Sequence, residues 1–305
     1  MNAFVAAPSD VRIAVHDAVN SLAGTKGFPG GNPVSIQRGD LPKLAARHGG
    51  YVVCPKTDGV RAVLVCTRTQ DKLVVALMNR GLDVTIPKFM AVNRAAFQGT
   101  ILDVEIATNL ATNAIELLVF DAVAVCGVPV TRLPLERRID AVRHALAAWG
   151  RDPADDANIV IKDFYGSIRE LEADGEKWRP FESDGLVLTP TAEPNTFGKN
   201  DKLFKWKTKH TVDFLVGQDG RSLYVYVGGG GGGVDHVHQK VGELDVACSL
   251  PSAIVECELV GGATWKIVRV RTDKKHANDR TTWECTLRNA TENISAEELV
   301  LHMRR

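Results

Sequence analysis

The chain has 305 residues, enough for two domains or one large one, and 45% of them are hydrophobic, as in an ordinary globular protein. Lys plus Arg number 37 and Asp plus Glu number 37, so the formal net charge is zero. That balance excludes a protein held on nucleic acid mainly by bulk positive charge, because counterion release needs many Lys and Arg contacts. It leaves room for a local basic cleft.

Six cysteines, Cys54, Cys66, Cys126, Cys248, Cys257 and Cys285, form no C-x-x-C pair, which argues against a zinc ribbon. They lie in apolar runs, as reduced intracellular thiols do. No cationic-then-apolar signal segment follows Met1, and no apolar run approaches the ~20 residues of a membrane span. The expectation is a soluble intracellular protein.

In chain order, residues up to about Gly50 read as loop-like around Pro8, Pro29, Gly30, Gly31 and Pro33, with one short helix over Val11 to Leu22. Strands are predicted at 51–54 and 60–66, around a turn holding Asp58 and Gly59. Leu73 to Met78 and Leu82 to Ile86 flank Asn79-Arg80-Gly81 and read as a hairpin. Strands follow at 101–107 and 115–126.

Leu135, Ile139, Val142, Leu146 and Trp149 recur at helical spacing, with Pro134 suited to the first turn and Gly150 to the stop. Further strands are predicted at 159–161, 185–188 and 203–207, and then at 214–216, 223–227, 254–260 and 265–270. The glycine run from Gly228 to Gly233 reads as a surface loop without a chemical role. Ser295 with Glu298 forms a capping-box pattern before a last helix.

The chemistry centres on Lys56-Thr57-Asp58-Gly59-Val60-Arg61. A lysine amine is ordinarily cationic, with a reference pKa of about 10.4. Beside other cations and partly desolvated, it can lose its proton and attack. The bland alternative is a solvated turn lysine. Arg61 could hold a sugar or phosphate. Asp103 and Glu105 alternate on one strand face, and such paired carboxylates call for a cation or polar ligand unless that face is solvated.

Phe120, next to Asp121, fits either a core position or a stack on a base. Asp184-Gly185 places a carboxylate at a strand start. Lys205 and Lys207 share one strand face, as a phosphate site or as guards of an exposed edge. Arg269, Arg271, Asp273 and Lys274 could grip a leaving pyrophosphate or form a solvated charge run.

The order and spacing carry more than any one motif. Lys-x-Asp-Gly, Asp-x-Glu, Phe-Asp, Ser-Asp-Gly-Leu-Val, Lys-Trp-Lys and Arg-x-Asp-Lys together resemble the covalent nucleotidyltransferase superfamily of capping guanylyltransferases and polynucleotide ligases. Gly31-Asn32-Pro33-Val34-Ser35-Ile36, Leu203 to Lys207 followed by His210-Thr211-Val212-Asp213-Phe214, and Trp265-Lys266 running to Ala277-Asn278-Asp279-Arg280 are similar to mRNA-capping guanylyltransferases, above all the compact chlorella-virus type. That family often has Gly between the two carboxylates, where this chain has Val104.

The resemblance implies an α+β protein. A nucleotidyltransferase domain would cover 1–212, with the helix of 292–305 packing back on it, and an OB-fold domain would cover 213–291. It implies that Lys56 is the nucleophile toward GTP, and that GMP passes through a lysyl adduct to a 5′-diphosphate RNA end. Lys205 and Lys207 would contact the α-phosphate. Arg61, Arg80 and Glu105 would hold the ribose and phosphate region, Phe120 would stack on guanine, and Lys162 would read its edge.

Arg271, Asp273 and Lys274 would close on the outer phosphates. Mg²⁺ or Mn²⁺ would serve as cofactor, with Asp184 and Glu105 as candidate ligands. RNA triphosphatase and cap methyltransferase activities would come from separate chains, and no membrane is implied. An ATP-dependent ligase, or a non-catalytic RNA-binding OB protein, are the competing expectations.

Overall fold

A computed structural model describes residues 4–45, 50–88, 94–147, 155–174, 180–227 and 237–303. The chain divides into two compact units. The first holds Met1–Val34, Asp40–Trp206 and Ala296–Arg305, and the second Ser35–Gly39 and Lys207–Ser295.

The first unit begins with β1 (Val5–Ala6), α1 (Ser9–Ala23), β2 (Gly31–Ser35) and the short α2 (Leu41–Leu44). Then come β3 (Tyr51–Thr57), β4 (Val60–Arg68), β5 (Leu73–Asn79), β6 (Val84–Ile86), β7 (Thr100–Thr108), β8 (Ile115–Val125) and β9 (Val128–Pro129). They are followed by α3 (Leu135–Leu146), β10 (Asn158–Ile161), α4 (Ile168–Ala173), β11 (Ser183–Pro190) and β12 (Gly198–Lys207).

Two sheets form. The larger runs β1-β6-β5-β4-β7-β8-β10 with β9 paired to β8, and the smaller runs β2-β12-β11-β3. Alternation along β4 explains the larger sheet's two covered faces. Ala62 and Leu64 join a core with Leu102, Val104, Leu117 and Val119, closed by Val142 and Ala145 of α3. Val63 and Val65 point the other way, into a core with Ile101 and Val123, closed by Val11, Val15 and Val19 of α1. A strand covered on both faces reads as an unbroken apolar run, as Val-Leu-Val-Cys does here.

The second unit contains β13 (Thr211–Val216), β14 (Ser222–Tyr226), β15 (His238–Leu244), β16 (Ile254–Gly261), β17 (Thr264–Val270) and α5 (Arg280–Glu292). Its strands close into a barrel in the order β13-β14-β15-β17-β16, and β16 pairs back onto β13. Phe214 and Trp265 meet edge to face inside it, with centroids 4.8 Å apart. The last helix, α6 (Ala296–His302), packs against α2 and α4 of the first unit.

Several elements differ from the sequence expectation. Gly31-Asn32-Pro33 is extended as β2 rather than loop, because the edge of the smaller sheet supplies its backbone partners. The turn at Asp58-Gly59 joins two different sheets: β3 belongs to the smaller sheet and β4 to the larger, so the chain changes sheets there. β15 escapes a period-two reading because Gln239, Lys240 and Gly242 break its apolar pattern.

α5 escapes because no residue on it is fully buried, although Asp279 caps it by accepting from the Thr282 N–H at 2.7 Å. Trp149, Gly150 and the run Gly228 to Gly233 lie outside the described residues.

α3 is tied to the larger sheet by a buried ion pair. Arg138, 2% exposed at its side chain, donates from Nε to Asp121 Oδ1 at 2.6 Å and from Nη2 to Oδ2 at 3.0 Å. Its Nη1 also donates to the carbonyls of Leu133 and Glu193. Removing one partner of such a pair strands a buried charge. Arg138→Met should therefore lower stability by about 3–5 kcal/mol in urea unfolding. Adding Asp121→Leu should recover part of that loss, because the two changes share one interaction.

Candidate active site

A cavity of about 530 Å³ opens in the first unit, within the size range of small-ligand sites. The smaller sheet lines it with Cys54, Lys56 and Thr57 of β3, Val187 and Thr189 of β11, Leu203 of β12, and Gly31 and Pro33 of β2. The larger sheet adds Arg61, Asp103, Glu105, Phe120 and Asp121, and the β5–β6 turn adds Arg80. Lys162 completes a group of four cations around the cavity with Lys56, Arg61 and Arg80.

The change of sheet at Asp58-Gly59 sets this geometry. Lys56 is the penultimate residue of strand β3 itself, so its amine projects from a rigid edge. Gly59 runs so close to β7 that an added Cβ would strike the Ile106 carbonyl and lie 3.0 Å from Glu105 Cγ. Only glycine lets β3 and β4 part company so near the carboxylate strand.

Lys56 Nζ donates to Asp184 Oδ1 at 2.7 Å. Asp184 is aimed there by an irregularity in β11, where the register shifts between Ser183 and Leu186 and Gly185 has φ 151°. Such bulges re-aim a side chain beside a site. Ser183 Oγ donates to the Lys56 carbonyl at 2.9 Å, closing the same joint. Lys162 Nζ donates to the Pro55 carbonyl at 2.7 Å and to Thr57 Oγ1 at 3.0 Å, so it is tethered on both sides of Lys56. Burial pushes the Cys54 thiol up in pKa, which leaves this neighbour protonated and unreactive.

The two carboxylates of β7 have different fates. Asp103, 1% exposed, pairs bidentately with Arg61 through Nε–Oδ1 at 2.9 Å and Nη2–Oδ2 at 2.5 Å. Arg61 Nη1 donates to the Gly31 carbonyl at 2.8 Å, and its guanidinium carbon lies 5.4 Å and 5.2 Å from the ring centroids of Phe28 and Phe120. Most of the Arg61 donors are thus engaged by protein.

Glu105 lies opposite Arg61 in the register and makes no direct ion pair among the described residues. Burial raises its pKa, against the pull of Lys162, Arg61 and Lys56. Burial and the charge of Arg61 push the Arg80 pKa down.

Lys205 and Lys207 stand on β12, but neither is among the residues lining the cavity. Arg271, Asp273 and Lys274 follow β17 in the second unit and are held in ion pairs there. Asp184 is hydrogen-bonded to Lys56, and Glu105 lies within range of the Lys56 charge. Among the described residues, no group of three or more His, Cys, Asp or Glu could cage a metal. Two groups were missed from sequence, Arg138 and the pairing of Asp213 with the cations after β17. A buried carboxylate calls for a cation, but which one is set by tertiary contact.

The family model for the mRNA capping enzyme catalytic domain matches residues 2–209, and that for the mRNA capping enzyme C-terminal domain matches residues 198–300. The chain belongs to the mRNA-capping enzyme family. Among relatives, the mRNA-capping enzyme subunit alpha of Schizosaccharomyces pombe is 25% identical over 98% of this chain and 86% of its own length. That of Saccharomyces cerevisiae is 27% identical over 95% and 81%.

The Eremothecium gossypii subunit is 30% identical over 68% of this chain and 51% of its own length. Among solved structures, a mycobacterial DNA ligase D complexed with ATP and MES covers 81% of this chain and 95% of its own, at 14% identity and a TM-score of 0.47. The capping-family chain is therefore an α+β nucleotidyltransferase with a sheet-rich C-terminal unit, and no helix among its described residues is long and apolar enough to cross a membrane.

Glu105 yields a pH test. Its folded-state pKa is raised, so the cost of its buried charge is absent below the unfolded carboxyl pKa and fully present above the folded one. Glu105→Gln should therefore melt higher than the parent protein at pH 8, with the gap closing as pH falls to the ordinary carboxyl value of 4.5. Thermal unfolding across that range measures it.

Proposed function

We propose that this chain is an mRNA guanylyltransferase whose nucleophile is Lys56. The observation that carries the reading is the Lys56 amine, held by Asp184 beside a cation-lined cavity in a chain that matches both capping-enzyme domain models. In the first step, Lys56 Nζ gives up a proton, for which Asp184 is the hydrogen-bonded acceptor, and attacks the α-phosphorus of GTP. A P–N bond forms as the bond to the bridging oxygen breaks, and pyrophosphate leaves. In the second step, a terminal oxygen of a 5′-diphosphate RNA attacks that phosphorus, the P–N bond breaks, and Lys56 recovers a proton as the GpppRNA cap forms.

Glu105 and Arg80 suit the ribose and phosphate region, and Phe120 and Lys162 suit the base. Lys205 and Lys207 suit the α-phosphate, with Arg271 and Lys274 meeting the outer phosphates. Two carboxylates plus substrate oxygens suit a hard divalent cation that keeps several waters, so Asp184 and Glu105 fit Mg²⁺ or Mn²⁺. Such an ion would spread phosphate charge in the transition state. The five-stranded barrel has the strand count and closure of an OB-type unit. RNA triphosphatase and cap methyltransferase chains are the partners that this reading assigns.

An ATP-dependent ligase would use the same lysine chemistry. The match of residues 198–300 to the capping C-terminal model favours guanylyl transfer. With α-³²P-labelled nucleotides, GTP should label the protein far more than ATP, and Lys56→Ala should abolish labelling while leaving the circular dichroism unchanged. Equal labelling by ATP would favour a ligase, and undiminished labelling of the variant would reject Lys56.

A second test concerns the barrel cations. Arg271→Ala and Lys274→Ala should slow adduct formation from GTP while leaving GMP transfer from preformed adduct nearly unchanged, as single-turnover kinetics would show. The reason is that pyrophosphate charge builds only in the first step.

A further inference from the structure

The β5–β6 turn that carries Arg80 is built against its own backbone preference. Met78 pairs with Val84, and the chain between them turns through Asn79, Arg80, Gly81, Leu82 and Asp83. The Leu82 N–H donates to the Asn79 carbonyl at 3.0 Å, and the Asn79 N–H to the Asp83 carbonyl at 3.0 Å. A hairpin loop of three residues closed in this way ends in a left-handed residue, ordinarily glycine. Here that residue is Leu82, with φ 67°, and glycine stands one place earlier.

Side chains hold the turn where backbone preference does not. The Asp83 N–H donates to Asn79 Oδ1 at 2.9 Å, and Asn79 Nδ2 donates to Asp83 Oδ2 at 3.1 Å. One amide thus binds both the backbone and the carboxylate of the residue four places on. Gly81 leaves room for this staple, since an added Cβ would lie 3.3 Å from Asn79 Oδ1 and from Asp83 Oδ2. Leu82 packs on the core that contains Val63, Val65 and Val84. A leucine keeps a left-handed backbone only where its surroundings over-determine it, and such outliers gather at ligand sites.

The turn presents Arg80 to the cavity. Asn79, Arg80 and Gly81 all line the cavity that holds Lys56. Arg61, the neighbouring arginine, is fixed by Asp103 and by the Gly31 carbonyl. Arg80 makes no hydrogen bond or ion pair among the described residues, so the turn beneath it sets where its guanidinium starts from. A guanidinium carries five donors in a planar fork. Fixing it on a ligand costs conformational entropy, and a rigid turn removes the backbone share of that cost before the ligand arrives.

We infer that Asn79 and Asp83 are positioning residues for nucleotidyl transfer: their paired side chains hold the turn that delivers the Arg80 guanidinium to the sugar and phosphate oxygens of the nucleotide. The inference rests on the guanylyltransferase reading, which gives Arg80 that ligand, and adds two residues to it.

The test is a mutant cycle on the full chain, with single-turnover adduct formation from GTP giving half-saturation and maximal rate separately. Asn79→Ala should raise the GTP concentration at half-saturation at least fivefold, with the circular dichroism unchanged. In an Arg80→Ala background it should add less than a further twofold. Asn79→Asp alone sets two carboxylates against each other and should lose at least as much as Asn79→Ala. Combining Asn79→Asp with Asp83→Asn restores the pairing with donor and acceptor exchanged, and should return half-saturation to within twofold of the parent.

An effect of Asn79→Ala that persists in full without Arg80 would mean that Asn79 touches the nucleotide or shapes the whole site, and would overturn the inference. So would unchanged half-saturation in Asn79→Ala, or no recovery in the exchanged pair. If Asn79→Ala does not fold, Asp83→Ala in the same cycle reads the same coupling. Failure of the parent protein to form any GMP adduct would instead reject guanylyl transfer, a result separate from these.

Discussion

The buried pair of Arg61 and Asp103 is the contact on which the site depends. Asp103 points inward from β7 at a place where an apolar side chain would pack, and a carboxylate survives there only when a cation and hydrogen bonds replace its water. Arg61 supplies both. Its third contact, with the Gly31 carbonyl, crosses from the larger sheet to the smaller one. One guanidinium therefore fixes the separation of the two cavity walls. Gly30 is part of the same constraint, since an added Cβ there would lie 2.5 Å from Arg61 Nη2 and 2.8 Å from Asp103 Oδ2.

The arrangement divides labour among like residues. Asp103 and Asp121 are neutralised by arginines and hold walls and helix in place. Glu105, on the same strand face as Asp103, has no ion pair among the described residues and bears the cost of burial in a raised pKa. Lys162 and Asp184 flank Lys56 through the backbone and the amine respectively, so Lys56 is oriented by one other strand, β11, and by the loop after β10. Proteins commonly give up stability at such places in return for chemistry.

Much of this was legible in the order of the residues. Period-two alternation placed Asp103 with Glu105, the apolar run of β4 marked a strand, and the helical spacing of Leu135, Ile139 and Val142 placed α3. These are local properties, set by side-chain direction along one element. The ordered motifs also carried the family, because the spacing of Lys56, Glu105, Asp184 and Lys205 survives in sequence whatever the fold around them.

The sequence by itself determined most of the elements and the chemical class. Tertiary structure alone decided the partners. That β3 and β4 part at Gly59 into different sheets depends on the close approach of the Ile106 carbonyl, which no local pattern records. That Arg61 belongs to Asp103, Arg138 to Asp121, and Lys274 to Asp213 depends on strands and turns brought together from 17 to 61 residues apart. The physical reason is range. Propensity and alternation act within a few residues, whereas the cost of a buried charge is settled by whichever cation the fold delivers to it.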